Sequence, residues 1–236
     1  LTFSTRQTYS VYTDGSVELQ SAISASKPNV LLPRIGYSMQ LPRGLDHFTY
    51  YGRGPVNNYS DRKTGQFVER HSGLVAEQGI MLPKPQAQGN REEVRWCAVT
   101  DVAGHGAAFI ADSVMSVSAL PWSQQQLTVA AHPFELPESR ATYLHLDAKV
   151  TGLGGASCGQ GGPLRPDQVM STARDFGFII RRADMATIDS TVCVTPSGER
   201  PISIVRSRTG MVTLSTPMSG RRIAYAIGGR RKASIY

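Results

Sequence analysis

"RIGYSMQL", residues Arg34–Leu41, decides the fold class. Ile35, Tyr37, Met39 and Leu41 recur at every second position, with Gly36, Ser38 and Gln40 between them. Successive side chains of a strand point to opposite faces, so this period puts one apolar face on a core and a polar face outward. A helix would need its apolar residues three and four apart. Working outward, "TYSVYT" (Thr8–Thr13) and "SVELQSAIS" (Ser16–Ser24) alternate in the same way about Asp14-Gly15. That dipeptide predicts a tight hairpin turn built on positive φ angles. "DHFTYYG" (Asp46–Gly52) alternates through Phe48 and Tyr50. Further strands are predicted at "VRWCAVTDV", "GAAFIAD", "VMSVSAL", "TYLHLDAKV", "FGFIIRR", "STVCVT", "ISIVRS", "MVTLS" and "RIAYAI", with Gly, Pro or Asp at most of the joins.

One segment reads as a helix. In "SQQQLTVAAHPFEL" Ser123 is placed to cap the first turn, Gln126 completes a capping box and Pro133 ends the run. Close-spaced strands with a single short helix predict an all-β antiparallel sandwich. The strand pattern restarts after "FGFIIRRAD", which places a division near Asp184: one domain over 1–183 and a small β module over 184–236.

Composition narrows the function classes. The 236 residues carry 25 Lys and Arg against 18 Asp and Glu, a net charge of +7. Apart from "GRR" at 220–222 and "GGRRK" at 228–232 the excess is dispersed. Nucleic-acid binding instead shows basic clusters interleaved with aromatics, so no nucleic-acid partner is expected. No segment approaches the ~20 apolar residues of a membrane span. Cys97, Cys158 and Cys193 are an odd, widely spaced set, unlike a disulfide framework or a zinc site. The five histidines have no HxxxH or HExxH spacing. Glu92 and Glu93 are neighbours, so on a strand they point apart and cannot flank one bond; they read as turn or edge residues. The chain opens inside a strand pattern, as a piece of a longer protein would.

Two segments are candidates for binding. "YGRGPVNNYSDRKTGQFVERHSG" (Tyr51–Gly73) reads as a long loop in which Asn57, Asn58, Tyr59, Asp61 and Arg62 offer directed hydrogen bonds and a ring suited to hydroxyl-rich ligands. On composition alone the preferred reading is an ordered surface loop whose Asp61 and Arg62 serve the local backbone. "VTGLGGASCGQGGPL" (Val150–Leu164) is glycine-rich, which suits either close approach to a ligand or a flexible connector.

Together "PRIGYSMQLP", "YYGRGPVNNYSDRK", "SALPWSQQQLTVAAHPFELPE" and "TYLHLDAKVTGLGG" resemble, in order, the C-terminal small-chain domain of bacterial β-galactosidases of glycoside hydrolase family 2, over residues 1 to about 181. "SCGQGGPL" resembles the Bacteroides-like form. The resemblance implies a galactose mutarotase-like supersandwich. It implies a retaining hydrolase whose two glutamates lie on a separate barrel domain, so this chain alone carries no catalytic residue and should be inactive. It places the substrate-side residues at Gly54, Pro55, Asn58, Tyr59, Asp61 and Arg62 on a mobile lid edge, with Cys158 and Gln160 opposite. It implies no cofactor or metal in this chain, with Mg and Na belonging to the barrel. The implied partners are a galactoside reached through the barrel of the same polypeptide and further copies in a homo-oligomer. The compartment, bacterial cytoplasm or periplasm, is left open. The sequence departs from the family at Asn57, where Glu is frequent, and after "GLGG", where a Trp of the sugar platform is missing. Residues 184–236 loosely resemble a hexosaminidase C-terminal β module. An autonomous carbohydrate-binding module and a mutarotase-like epimerase are the alternative readings.

Overall fold

A computed structural model describes residues 1–80, 82–154, 161–193, 202–206, 212–215, 223–227 and 230–235. Its strands are β1 (Phe3–Val11), β2 (Val17–Ala25), β3 (Leu31–Leu32), β4 (Arg34–Pro42), β5 (His47–Gly54), β6 (Phe67–Leu74), β7 (Arg91–Thr100), β8 (His105–Leu120), β9 (Ala141–Val150), β10 (Val169–Met170), β11 (Arg174–Asp184), β12 (Ile202–Arg206), β13 (Val212–Ser215), β14 (Ile223–Ile227) and β15 (Arg230–Ile235). The helices are α1 (Gln124–Val129) and α2 (Ile188–Cys193). All pairings are antiparallel. The main sheet runs β13-β12-β1-β2-β11-β8-β7-β5-β6, and β9 and β4 branch from β8. This is the antiparallel all-β sandwich expected from the alternation.

The branch makes the two layers. The first half of β8 pairs with β11, Ala111 opposite Phe178, and the second half pairs with β9, Ser116 opposite Asp147. Between the halves Asp112–Val114 are exposed, where the strand leaves one layer for the other. The core lies between: Leu19, Phe48, Tyr50, Phe109, Phe176 and Phe178 from one side meet Val117, Leu144 and Leu146 from the other. Tyr37, Met39 and Leu41 of β4 pack on that core while Gly36, Ser38 and Gln40 face out, as their period requires. Phe48 and Tyr50 stack at 5.1 Å, an arrangement that adds to simple burial.

α1 has the predicted cap. The Gln126 N–H donates to Ser123 Oγ (3.1 Å) and the Ser123 N–H to Gln126 Oε1 (2.8 Å). Elsewhere the structure corrects the sequence reading. The Asp14-Gly15 turn has positive φ at Gly15 alone, +83°, and closes with the Gly15 N–H on the Tyr12 carbonyl (3.1 Å). The two strand candidates on either side of Ser113 are one strand. The stretch Tyr51–Gly73 is not all loop, because β5 continues to Gly54 and the chain returns as β6 from Phe67. β6 is an edge strand with Phe67 68% exposed, and its outward residues never show the alternation of a buried strand. "STVCVT" was expected as a strand, yet α2 occupies Ile188–Cys193. Ile188 and Val192, four apart, seat one helix face on a satellite core with Trp96, Ala98 and Ala183. Tertiary packing there overrides β-branched propensity. β11 ends at Asp184, where the sequence suggests a division. Beyond it β12 pairs with β1 and β13, and β14 with β15.

Candidate functional site

The residues between β5 and β6 form a twelve-residue connection, 55–66, held from below, from the side and from within. It starts at Gly54, joined to Pro55 by a cis peptide bond. A Cβ at Gly54 would collide with Tyr50 Oη and the His71 ring, so the backbone can pass there only without a side chain. Asn58 follows, 0% exposed. Its Nδ2 donates to the carbonyls of Arg53 and Val56 (both 2.9 Å), and its Oδ1 accepts the Glu92 N–H (2.8 Å). Its N–H donates to the Asn90 carbonyl (2.8 Å), and its carbonyl accepts from Asn90 Nδ2 (2.9 Å). Asn58 therefore latches the connection to the start of β7.

Tyr59 is buried, and it closes a short turn with Arg62 through paired backbone bonds (Tyr59 N–H to Arg62 O, 3.2 Å; Arg62 N–H to Tyr59 O, 2.9 Å). The Arg62 guanidinium lies 5.5 Å from the Tyr59 ring centroid and donates to Asn57 Oδ1 (3.2 Å). Asp61 reaches the glycine-rich segment: Oδ1 accepts the Leu153 N–H (3.0 Å) and Oδ2 the Gly154 N–H (2.7 Å). On the other flank Lys63 Nζ and Arg53 Nε grip Glu93 (2.8 and 2.9 Å). Those bonds, with help from the positive charges, hold the Glu93 carboxyl at a pKa of about 2. Glu92 and Glu93 sit in a bulge of β7, three steps opposite two of β8, with Glu93 at φ +54°. The bulge sends Glu93 outward to the connection and Glu92 inward.

Beneath the connection lies a polar sheet face. Leu144 and Leu146 of β9 face the core, so His145 and Asp147 face the other way, opposite Ser118 and Ser116 of β8. Both are buried. Asp147, 1% exposed, sits 3.3 Å from Arg34 Nη1. Burial pushes its pKa up to about 7 despite Arg34, and Glu92 raises it further. Burial, and then Arg34, push His145 down to about 4, so it is neutral at pH 7. Glu92 accepts from Asn90 Nδ2 (2.7 Å) and Ser116 Oγ (2.8 Å), and burial outweighs those bonds to raise its pKa. The Tyr59 phenol is raised chiefly by burial, against the pull of Arg34, Arg62 and Arg91. Ser118 Oγ and Asn90 Oδ1 are buried without a hydrogen-bond partner among the described residues.

Of the residues singled out in the sequence, Gly54, Asn58 and Tyr59 are buried structural parts of the connection, while Pro55, Asp61 and Arg62 reach its exposed surface. Cys158 and Gln160 lie outside the described residues. The segment expected to be mobile is bonded on both flanks. Sequence reasoning missed Arg34, Glu92, His145 and Asp147 as a group. Adjacency alone sets the two glutamates apart, but the bulge that buries Glu92 and holds Glu93 at positive φ is visible only in the pairing with β8. Trp96 is buried beside α2, and Trp122 is half-buried with Nε1 donating to the Pro137 carbonyl (2.9 Å). Among the described residues no group of three or more His, Cys, Asp or Glu is placed to hold a metal.

Fold and connection together define an antiparallel β-sandwich domain that carries a braced loop on one rim over a polar face. The chain belongs to the beta galactosidase small chain family, whose model matches residues 2–180. It is 34% identical over 148 residues to the beta-galactosidase of Priestia megaterium, covering 63% of this chain and 14% of that protein. It is 30% identical over 175 residues to that of Halalkalibacterium halodurans, covering 72% of this chain and 17% of the relative. The beta-galactosidase of Lactobacillus delbrueckii subsp. bulgaricus matches at 34% over 149 residues, 63% of this chain and 14% of its own length. The chain thus spans a small fraction of the curated relatives it matches.

Proposed function

We propose that this chain is a C-terminal part of a β-galactosidase, in which it forms one rim of the sugar site and leaves bond cleavage to carboxylates elsewhere in the parent polypeptide. The supporting observation is the Asp61 carboxylate on the Leu153 and Gly154 N–H groups. Through it two segments far apart in sequence become a single edge, with Pro55 and Arg62 exposed along it. Retaining hydrolysis needs two carboxyl groups facing one bond about 5 Å apart with room for a sugar between them. Glu92 and Glu93 diverge at the bulge, and Asp147 is sealed below. The rim reading therefore assigns this chain positioning of a galactoside, with Gly54, Pro55, Asn58, Tyr59, Asp61 and Arg62 shaping the edge, in an oligomeric parent enzyme.

In the parent enzyme Asp61→Ala should shift kcat and KM together, since loops at a site's edge govern both substrate commitment and product release. Unchanged kinetics in that variant would reject the rim. A second reading, an aldose epimerase, draws on one observation: Glu92, His145 and Asp147 gather at one sheet face, and such chemistry needs an acid and a base together. A mutarotation assay on the isolated chain decides it.

A further inference from the structure

A second polar surface lies on other strands. Ser4 is opposite Ser24, Arg6 is opposite Ala22, and Ala22 is opposite Asp175; in the next row Thr8 is opposite Gln20 and Gln20 is opposite Gly177. Directly opposed residues share a face. These rows alternate with Phe176 and Phe178, which enter the core, so they lie on the face of β1, β2 and β11 that looks away from it. A groove of ≈ 460 Å³ touches Ser4, Arg6, Ala22, Ser24 and Asp175, and a recess of ≈ 200 Å³ touches Gln20, Asp112, Ser113 and Gly177. Asp175 lines both.

The spacing leaves the charges unmatched. Arg6 and Asp175 stand two strands apart across Ala22, about 10 Å between their backbones. Both are exposed, and neither makes an ion pair or side-chain hydrogen bond with a described residue. Ala22 between them offers only a methyl group. In the next row Gln20 Nε2 donates to Asp112 Oδ2 (2.7 Å), and the two side chains cross above Gly177, where a Cβ would strike both. Ala22 thus leaves an open gap between the Arg6 guanidinium and the Asp175 carboxylate, bordered by the Gln20 amide and Asp112, in which a sugar ring can lie. Sugar hydroxyls both donate and accept, so one ring can satisfy a cation on one side and an anion on the other, through charge-assisted bonds. Arg174 also lines the groove, so two guanidiniums stand against the carboxylates of Asp112 and Asp175, and a lining with no net charge suits a neutral ligand.

We propose that this face is a binding site for a neutral di- or oligosaccharide, separate from the braced connection, with Arg6 and Asp175 gripping one ring over Ala22 and Gln20 and Asp112 receiving the next. It lies on different strands from the rim, so either reading can fail while the other stands. The test titrates lactose and a β-linked galactotriose into the 236-residue chain while amide shifts are followed by NMR. Saturable binding is expected, with shifts centred on β1, β2 and β11. Arg6→Ala, Asp175→Ala and the isosteric Asp175→Asn should each weaken it roughly tenfold, the loss of one charge-assisted bond, with unchanged melting temperatures. No saturable binding, parental affinity in all three variants, or shifts confined to residues 55–66 would each overturn the proposal.

Discussion

Asn58 concentrates the local energetics of the connection. Its amide joins the turn to its own carbonyls and to the β7 bulge, all out of water. Replacing it by Ala strands the Arg53 and Val56 carbonyls and the Glu92 N–H, and buried groups left unpaired cost about 1–3 kcal/mol each unless water enters. Asn58→Ala should therefore lower the denaturation midpoint by an amount equivalent to about 3 kcal/mol, read by urea titration. His145 and Asp147 give the fold opposite responses to pH. His145 titrates near 4 when folded and near 6.5 when unfolded, so between those values the unfolded chain binds more protons and acid removes stability. Asp147 titrates near 7 folded and near 3.8 unfolded, so the folded chain binds more protons and stability falls as pH rises through that window. Melting scans from pH 4 to 8 should show the Asp147→Asn variant gaining on the parent as pH rises from 4 to 7. A constant difference across that range would mean that Asp147 does not hold its proton.

At the scale of elements, the connection and α2 are both held from outside. Asp61→Ala removes the acceptor of the Leu153 and Gly154 N–H groups, so hydrogen exchange at those two amides should accelerate while exchange in β5 and β9 stays near the parent's. Equal protection in parent and variant would show that the glycine-rich segment holds itself. Lys63 and Arg53 clamp the other flank through Glu93, whose low pKa makes that support full above about pH 4.5 and lost as pH falls toward 2. α2 has six residues, too few to persist alone, and depends on Ile188 and Val192 against Trp96. Ile188→Ala should cost about 2–4 kcal/mol by calorimetry, as a buried branched side chain does, and Trp96 fluorescence should shift as its cover loosens.

For the molecule as a whole, the rim reading predicts that purified 1–236 does not hydrolyse a chromogenic β-galactoside. Turnover that persisted through a second purification step and stayed with the chain would place a complete site within it. The long strand β8 gives the domain its unity, since it belongs to both layers and carries core residues to each. Substitutions at its exposed bend, Asp112–Val114, should be milder than at Phe109 or Val117, where truncation opens a cavity between the layers.

The sequence by itself determined the local order. Period-two alternation is a property of neighbouring residues, so β4, the β1–β2 hairpin and most later strands were legible in it, as was the capping box of α1. Its motifs also marked the Asn58–Arg62 turn and the glycine-rich segment as special. The tertiary structure decided what depends on partners distant in the chain. β6 is a strand because β5 offers it an edge, and Ile188–Cys193 are helical because a satellite core accepts one face. Glu92 and Glu93 have their pKa values shifted in opposite directions because a bulge fixed by β8 drives one into burial and the other onto Arg53 and Lys63. The tie between Asp61 and Gly154 joins residues 93 positions apart, and no local pattern encodes a contact at that separation.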